Sequence, residues 1–199
     1  GKFDLFNRQI RFEMTEKIED EIINIGDLSF IKYINADEIE AKVQEVADSI
    51  REDFHEKYPM FLVVMNGAFI YAADLIRKLD FPCELNFVRI KSYQGTESSG
   101  KIDIYMPPNL ELRDRHIIII EDIIDTGNTM AAFIPKLNTF LPASVSLSSI
   151  LVKPEAHKHE IITQYPGFII PEKFVVGYGL DYDGMGRNLK DLYQLYTQE

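Results

Sequence analysis

Apolar residues at Ile39, Val43, Val46, Ala47, Ile50 and Phe54 recur at three- and four-residue spacing behind Asn35 and Glu38. That spacing predicts an amphipathic helix to about Tyr58, opened by a capping box between Asn35 and Glu38. The pattern then changes period. "MFLVVM" (60–65) is a short apolar run ending at Asn66-Gly67, which reads as a buried strand entering a turn. "AFIYAADLIRKL" (68–79) suits a helix and "ELNFVRIK" (84–91) a second strand, while "SYQGTESSGK" (92–101) is polar and glycine-bearing like a mobile loop. "RHIIIIE" is a third buried strand, and "TMAAFIPKLNTF" is a helix in which Pro135 predicts a kink or a late start. "SVSLSSILV" (144–152) and "FVVGYGL" (174–180) read as a fourth and a fifth strand. Apolar strands alternating with helices predict an α/β fold with a mainly parallel sheet covered on both faces. In such sheets ligands bind beyond the carboxyl ends of the strands, so the polar sequences there are where chemistry is expected.

Composition narrows this only a little. The 199 residues suffice for one domain with a sizeable core, and no repeat or linker-like run divides them. A formal charge of −11 argues against a nucleic-acid or anionic-membrane surface, though not against a local anion site. The single Cys83, the absence of a secretory apolar core in "GKFDLFNRQIRFEMTEKIEDE", and the lack of any membrane-length apolar run set a cytoplasmic expectation.

The most informative stretch is "IIIIEDIIDTGNTM" (117–130), where a strand leads through a tight turn into a helix. A helix N-terminus presents unpaired backbone N–H groups and partial positive charge. Thr126 and Thr129 add hydroxyl donors, and Gly127 lets the backbone close around an anion. The turn can therefore hold a phosphate without a cation. Glu121 and Asp122 need other partners, and sugar hydroxyls or a divalent metal are the chemical choices. The other patterns are weaker. "DYDG" lacks the further ligands of a calcium loop, Gly177-x-Gly179 is too short for a dinucleotide fingerprint, and His157 and His159 read as surface residues.

Two acids after a hydrophobic strand, two apolar residues, then Asp-Thr-Gly-x-Thr resembles the phosphoribosyl pyrophosphate (PRPP) signature of the type I phosphoribosyltransferases. The resemblance implies that fold: a mainly parallel twisted sheet flanked by helices, with a core over about 36–180. It also implies a small hood subdomain from the N-terminal segment and about 153–199. It makes Glu121 and Asp122 the ribose acids and Mg²⁺ ligands, and Asp125, Thr126, Gly127, Asn128 and Thr129 the cradle of the 5′-phosphate.

Other segments resemble the hypoxanthine-guanine branch. "VMNGAFIYAADL" is similar to its first loop, where a peptide bond corresponding to Met65–Asn66 is often cis and backbone amides at Asn66 and Gly67 meet pyrophosphate. Many relatives carry Lys where this chain has Asn66. Ser92 and Tyr93 match the lid that closes over the reaction and binds pyrophosphate, Lys153 the residue facing a purine 6-oxo group, and Phe174 the ring that stacks on the base. Val175 would meet the base edge through its backbone. Asp181 would contact the metal directly or through water and also face the purine beside Val175, and Arg187 would meet the pyrophosphate.

The expected activity is transfer of the phosphoribosyl group from PRPP to hypoxanthine or guanine. Asp125 is the expected catalytic residue, a proton acceptor or donor at purine N7. A homodimer or homotetramer is implied by the same resemblance. A xanthine-preferring enzyme and a PRPP-binding regulatory protein stand as alternatives.

Overall fold

The computed structural model describes residues 21–92 and 102–197. Its large sheet has the order β5-β4-β3-β6-β7-β8, built from β3 (Met60–Met65), β4 (Glu84–Ser92), β5 (Ile102–Tyr105), β6 (His116–Ile124), β7 (Ser144–Val152) and β8 (Tyr165–Ile169). All neighbours pair in parallel except β4 and β5, which form an antiparallel edge.

Alternation along β3 and β6 divides the core into two layers. Phe61, Val63, Ile118 and Ile120 face α1 (Ala36–Phe54) and α2 (Phe69–Ile76). Met60, Leu62, Ile117 and Ile119 face α3 (Asn128–Asn138). Four consecutive isoleucines are thus fully buried because a strand with helices on both faces has no wet side. The α1 capping box is formed at both ends: Glu38 N donates to Asn35 Oδ1 and Asn35 N to Glu38 Oε2, each at 2.9 Å. That helix ends at Phe54, four residues before the expected Tyr58, and α2 is likewise shorter than expected at both ends. Helix α3 begins at Asn128 and continues past Pro135, so there is no late start.

The strand expectations need three corrections. A hairpin, β1 (Ile22–Ile25) and β2 (Leu28–Ile34), precedes α1 and had no counterpart in the sequence reading. The fifth parallel strand is β8, not the 174–180 run. Of that run only β9 (Val175–Val176) is strand, and it lies in a second, antiparallel sheet of order β1-β2-β10-β9, with β10 spanning Leu192–Leu195. The reason is backbone geometry. Gly177, Tyr178 and Gly179 all have positive φ, at 104°, 47° and 99°, which bends the chain into turns instead of a pleat. The small sheet forms the hood, but the chain after residue 153 is shared, since β8 belongs to the large sheet.

The hood is fixed to the core by Asp191. Its Oδ1 accepts from Ala36 N (2.7 Å) at the α1 N-terminus, and its Oδ2 pairs with Lys32 Nζ at 3.1 Å. A carboxylate is favoured there by the helix dipole.

Candidate active site

The connection from β3 runs outward to β4, whereas β6 lies on the other side of β3. The order therefore reverses between β3 and β6, and the crevice beyond their carboxyl ends is where an open α/β sheet binds ligands. Loops from both strands and from the hood meet at this point. A Cβ added to Gly67, just after β3, would collide with the Asp122 carboxylate on β6. A Cβ on Gly179 of the hood would collide with the Gly67 carbonyl oxygen. Residues 67, 122 and 179 are thus stacked, with space at two of them only for glycine.

The Met65–Asn66 peptide is cis, in agreement with the resemblance. Asn66 is exposed beside buried Gly67. Ser92 closes β4 opposite Ile102, and Tyr93, with the rest of the expected lid, lies outside the described residues.

The acid pair is inside β6, not after it, because the strand runs on to Ile124. Glu121 Oε1 accepts from Asp122 N at 3.1 Å, and Asp122 Oδ1 from Ile123 N at 2.8 Å. Burial, with the neighbouring Asp122 charge adding to it, holds the Glu121 carboxyl well above the usual carboxylate range. Burial also raises Asp122, offset in part by its hydrogen bonds and by the Arg187 charge. An acid pair held this way, Glu121 buried and Asp122 half-buried, gains from any cation or hydroxyl donor brought to it.

Residues 125–127 then turn sharply into α3. Gly127, the N-cap of α3, adopts a left-handed conformation (φ 78°) and has no side chain to cap the first-turn amides. A cavity of ≈ 80 Å³ runs from Glu121 along residues 123–130. Asn128 N donates to Thr126 Oγ1 at 3.4 Å, and the other first-turn amides, with Thr129, line a small hollow that suits a tetrahedral anion. Larger hollows of ≈ 470 Å³ lie beside Arg51 and along α3, and neither is lined by the residues of the 121–129 turn.

The strand beside it completes the wall. Lys153 N donates to Ile124 O at 2.9 Å, tying the end of β7 to the end of β6. Lys153 is only 6% exposed, and its Nζ lies 3.3 Å from Asp125 Oδ2. Past a 3-10 turn at Pro154–Ala156, the chain folds back over the loop: Lys158 N donates to Thr126 O at 2.8 Å. His159 Nε2 is 2.9 Å from Asn128 Oδ1, and a Cβ on Gly127 would meet Ile161 Cγ1 at 2.8 Å. The surface reading of His159 was right about exposure and missed this contact; no periodicity connects residues 128 and 159.

Phe174 keeps 45% of its surface exposed despite contacts with Phe30 and Tyr182. Val175 is buried, pairing with Gln194 of β10. Arg187 donates from Nη1 to Gly179 O at 2.7 Å and pairs through Nη2 with Asp181 Oδ1 at 2.8 Å. Asp181 Oδ2 accepts from Gly184 N at 2.8 Å, so both its oxygens are engaged within the hood. The glycine pair at 177 and 179, too short for a dinucleotide motif, is what allows this tight turn to reach Gly67.

As to a metal, the described residues hold no cluster of three or more His, Cys, Asp or Glu placed to bind one. Adjacent carboxylates without a protein cage nevertheless suit Mg²⁺, which keeps waters and takes one or two carboxylates together with substrate oxygens.

Comparison with known proteins gives a consistent result. Residues 33–183 match the family model described as "Phosphoribosyl transferase domain". The hypoxanthine-guanine phosphoribosyltransferase of Bacillus subtilis is 36% identical over 157 residues, covering 78% of this chain and 87% of that protein. The hypoxanthine-guanine-xanthine phosphoribosyltransferase of Tritrichomonas foetus is 33% identical over 166 residues, covering 83% and 90%. The chain also spans 24% of the longer bifunctional protein TilS/HprT of Listeria monocytogenes. Among solved structures, a hypoxanthine phosphoribosyltransferase of Staphylococcus aureus aligns with a TM-score of 0.79 at 30% identity, over 83% of this chain and 90% of that one.

Proposed function

The chain belongs to the phosphoribosyl transferase family, and on that premise we propose that it transfers the 5-phosphoribosyl group from PRPP to a 6-oxopurine, hypoxanthine or guanine. The products are the nucleoside monophosphate and pyrophosphate. One observation carries the reading to a purine: Lys153, a buried cation, is lodged against Asp125 at the rim of the anion cradle.

In this reading the 5′-phosphate occupies the hollow at 125–129 and the ribose hydroxyls face Glu121 and Asp122. Lys153 donates to the purine 6-oxo group, and Phe174 covers one face of the ring. Adenine is rejected because its 6-amino group offers Lys153 no acceptor. As the bond from the anomeric carbon to pyrophosphate breaks, purine N9 bonds to that carbon and the purine proton passes to Asp125 through N7. Arg187 and the amides at Asn66 and Gly67 take the charge that grows on the departing pyrophosphate. Ser92 and Tyr93 belong to the lid that excludes water.

Mg²⁺ fits the Glu121–Asp122 pair, with Asp181 in its outer shell, and when bound it neutralises phosphate charge. Val175 reads the base edge from its backbone. The segment 1–199 acts as one domain. Assembly as a homodimer or homotetramer and a cytoplasmic location complete the proposal. No helix among the described residues is long and apolar enough to cross a membrane.

Xanthine remains a second substrate to weigh, because one relative carries it in its name. The test is product formation from PRPP and Mg²⁺ with hypoxanthine, guanine, xanthine and adenine supplied separately. Turnover of oxopurines and not of adenine is expected. Tight PRPP binding with no turnover of any base would put a regulatory protein in its place.

A further inference from the structure

The hairpin β1–β2 lies almost wholly outside residues 33–183, the part that matches the family. Its second strand nevertheless reaches the ring proposed to carry the base. Phe30, on β2 and fully buried, has its ring centre 6.0 Å from Phe174 and 6.1 Å from Tyr182. Tyr182 stands edge-on to Phe174, at 5.9 Å and an interplanar angle of 88°. The three rings form a closed triangle of which Phe174 is the exposed corner.

Two contacts from the hairpin turn hold Tyr182. Its hydroxyl donates to Asp27 Oδ1 at 2.6 Å. Gly26, at φ 60°, brings its backbone so close that a Cβ there would be 3.3 Å from both Tyr182 Cε1 and Met185 Cε. The rotation of an edge-on ring decides where the ring it abuts can lie, since such pairs have a preferred geometry. Phe30 supports Phe174 from the side and Asp27 sets the tilt of Tyr182. The remaining freedom of Phe174 is therefore small.

We infer that Asp27 and Tyr182 are positioning residues for the purine: the hairpin turn orients Phe174 through Tyr182 and so sets affinity for the base, without touching substrate. The inference rests on the proposed function, in which Phe174 stacks on the purine. An element outside the matched domain would thereby tune a step performed inside it.

The test uses the full chain and the variants Asp27→Ala, Tyr182→Phe and the double substitution, assayed with PRPP, Mg²⁺ and hypoxanthine. Each single variant should raise the KM for hypoxanthine about two- to tenfold, the range for one hydrogen bond, and leave kcat and the KM for PRPP unchanged. The double variant should be no worse than either single one, because both remove the same bond. Tyr182→Leu, which removes the edge-on ring, should raise the hypoxanthine KM further than Tyr182→Phe. Thermal melting of every variant separates folding from binding. A lowered Tm with an unchanged hypoxanthine KM overturns the inference. So does a uniform change in all kinetic constants, or additive effects in the double variant. A wild-type chain that turns over no oxopurine removes the proposed function itself, and the inference with it.

Discussion

Lys153 Nζ stands 3.3 Å from Asp125 Oδ2, joining a side chain that is 7% exposed to one that is 50% exposed. The buried partner is the cation, and the open partner is the acid. In the proposed reaction an incoming 6-oxopurine offers Lys153 a new acceptor and Asp125 a proton, so that binding exchanges one internal ion pair for two contacts with the base. The amine and the carboxylate are held in register because Lys153 N also bonds Ile124 O, one residue before Asp125.

Asp125→Asn keeps the size and an acceptor oxygen but cannot take up a proton. It should leave PRPP binding near wild type, measured by calorimetry, and lower kcat by about a hundredfold, the lower range for general acid–base catalysis. Equal turnover by the variant would remove Asp125 from the chemistry. Lys153→Ala should instead raise the KM for the purine about ten- to a hundredfold, as expected for a lost charged hydrogen bond. A change confined to PRPP affinity would refute its assignment to the base.

The acid pair makes stability depend on pH. Burial first, then the Asp122 charge, raises Glu121 above its usual value of 4.5. Folded and unfolded chains are both protonated at Glu121 below about pH 4.5, and no penalty is present there. As pH rises the unfolded chain releases the proton first, so stability is lost until the folded group also ionises. Glu121→Gln should thus match wild type in acid and melt higher at neutral pH in the absence of ligand, while PRPP affinity falls. Melting curves across that range, with PRPP titration at neutral pH, check both halves. A neutral-pH Tm below wild type would contradict the prediction.

Gly67 is required by contact, since its position against Asp122 leaves no room for a methyl group. Gly67→Ala must displace the Asp122 carboxylate or the loop, and the expected outcome is a loss of kcat/KM for PRPP of about a hundredfold or more. Circular dichroism should show the fold retained. Wild-type kinetics would mean that the stacking of residues 67 and 122 plays no part in substrate binding.

His159 clasps the turn into α3 from outside through Asn128, the turn proposed to hold the 5′-phosphate. Because Asn128 offers its Oδ1, the imidazole is the donor. His159→Ala should raise the KM for PRPP about two- to tenfold and spare the KM for the purine, and His159→Gln, which retains an N–H donor, should recover part of the loss. An effect equal on both substrates would point to a general loosening of the fold instead.

Much of this site was legible in the chain because its pieces are local. The turn from Asp125 to Thr129 is contiguous, and its glycine, hydroxyls and strand-to-helix context are visible in a window of fourteen residues. The capping box at Asn35 and Glu38 is likewise a three-residue relation, and it formed as the pattern implied. Burial of Ile117–Ile120 follows from four isoleucines in a row among helices.

What the sequence determined by itself was therefore the periodic and the contiguous: helix faces, buried strands, and the strand-to-helix turn that follows two acids. Only the tertiary structure decided the rest. It cut the 174–180 run to a two-residue strand in a second sheet and turned 177–179 with positive φ, because Gly177 and Gly179 must pass close to Asp191 and Gly67. It brought Asp27 to Tyr182 and His159 to Asn128, pairs separated by 155 and 31 residues. Hydrophobic period records which side of an element is buried, not what it is buried against. Contacts between loops depend on strand order and on close backbone approach, and those arise only when the whole sheet is assembled.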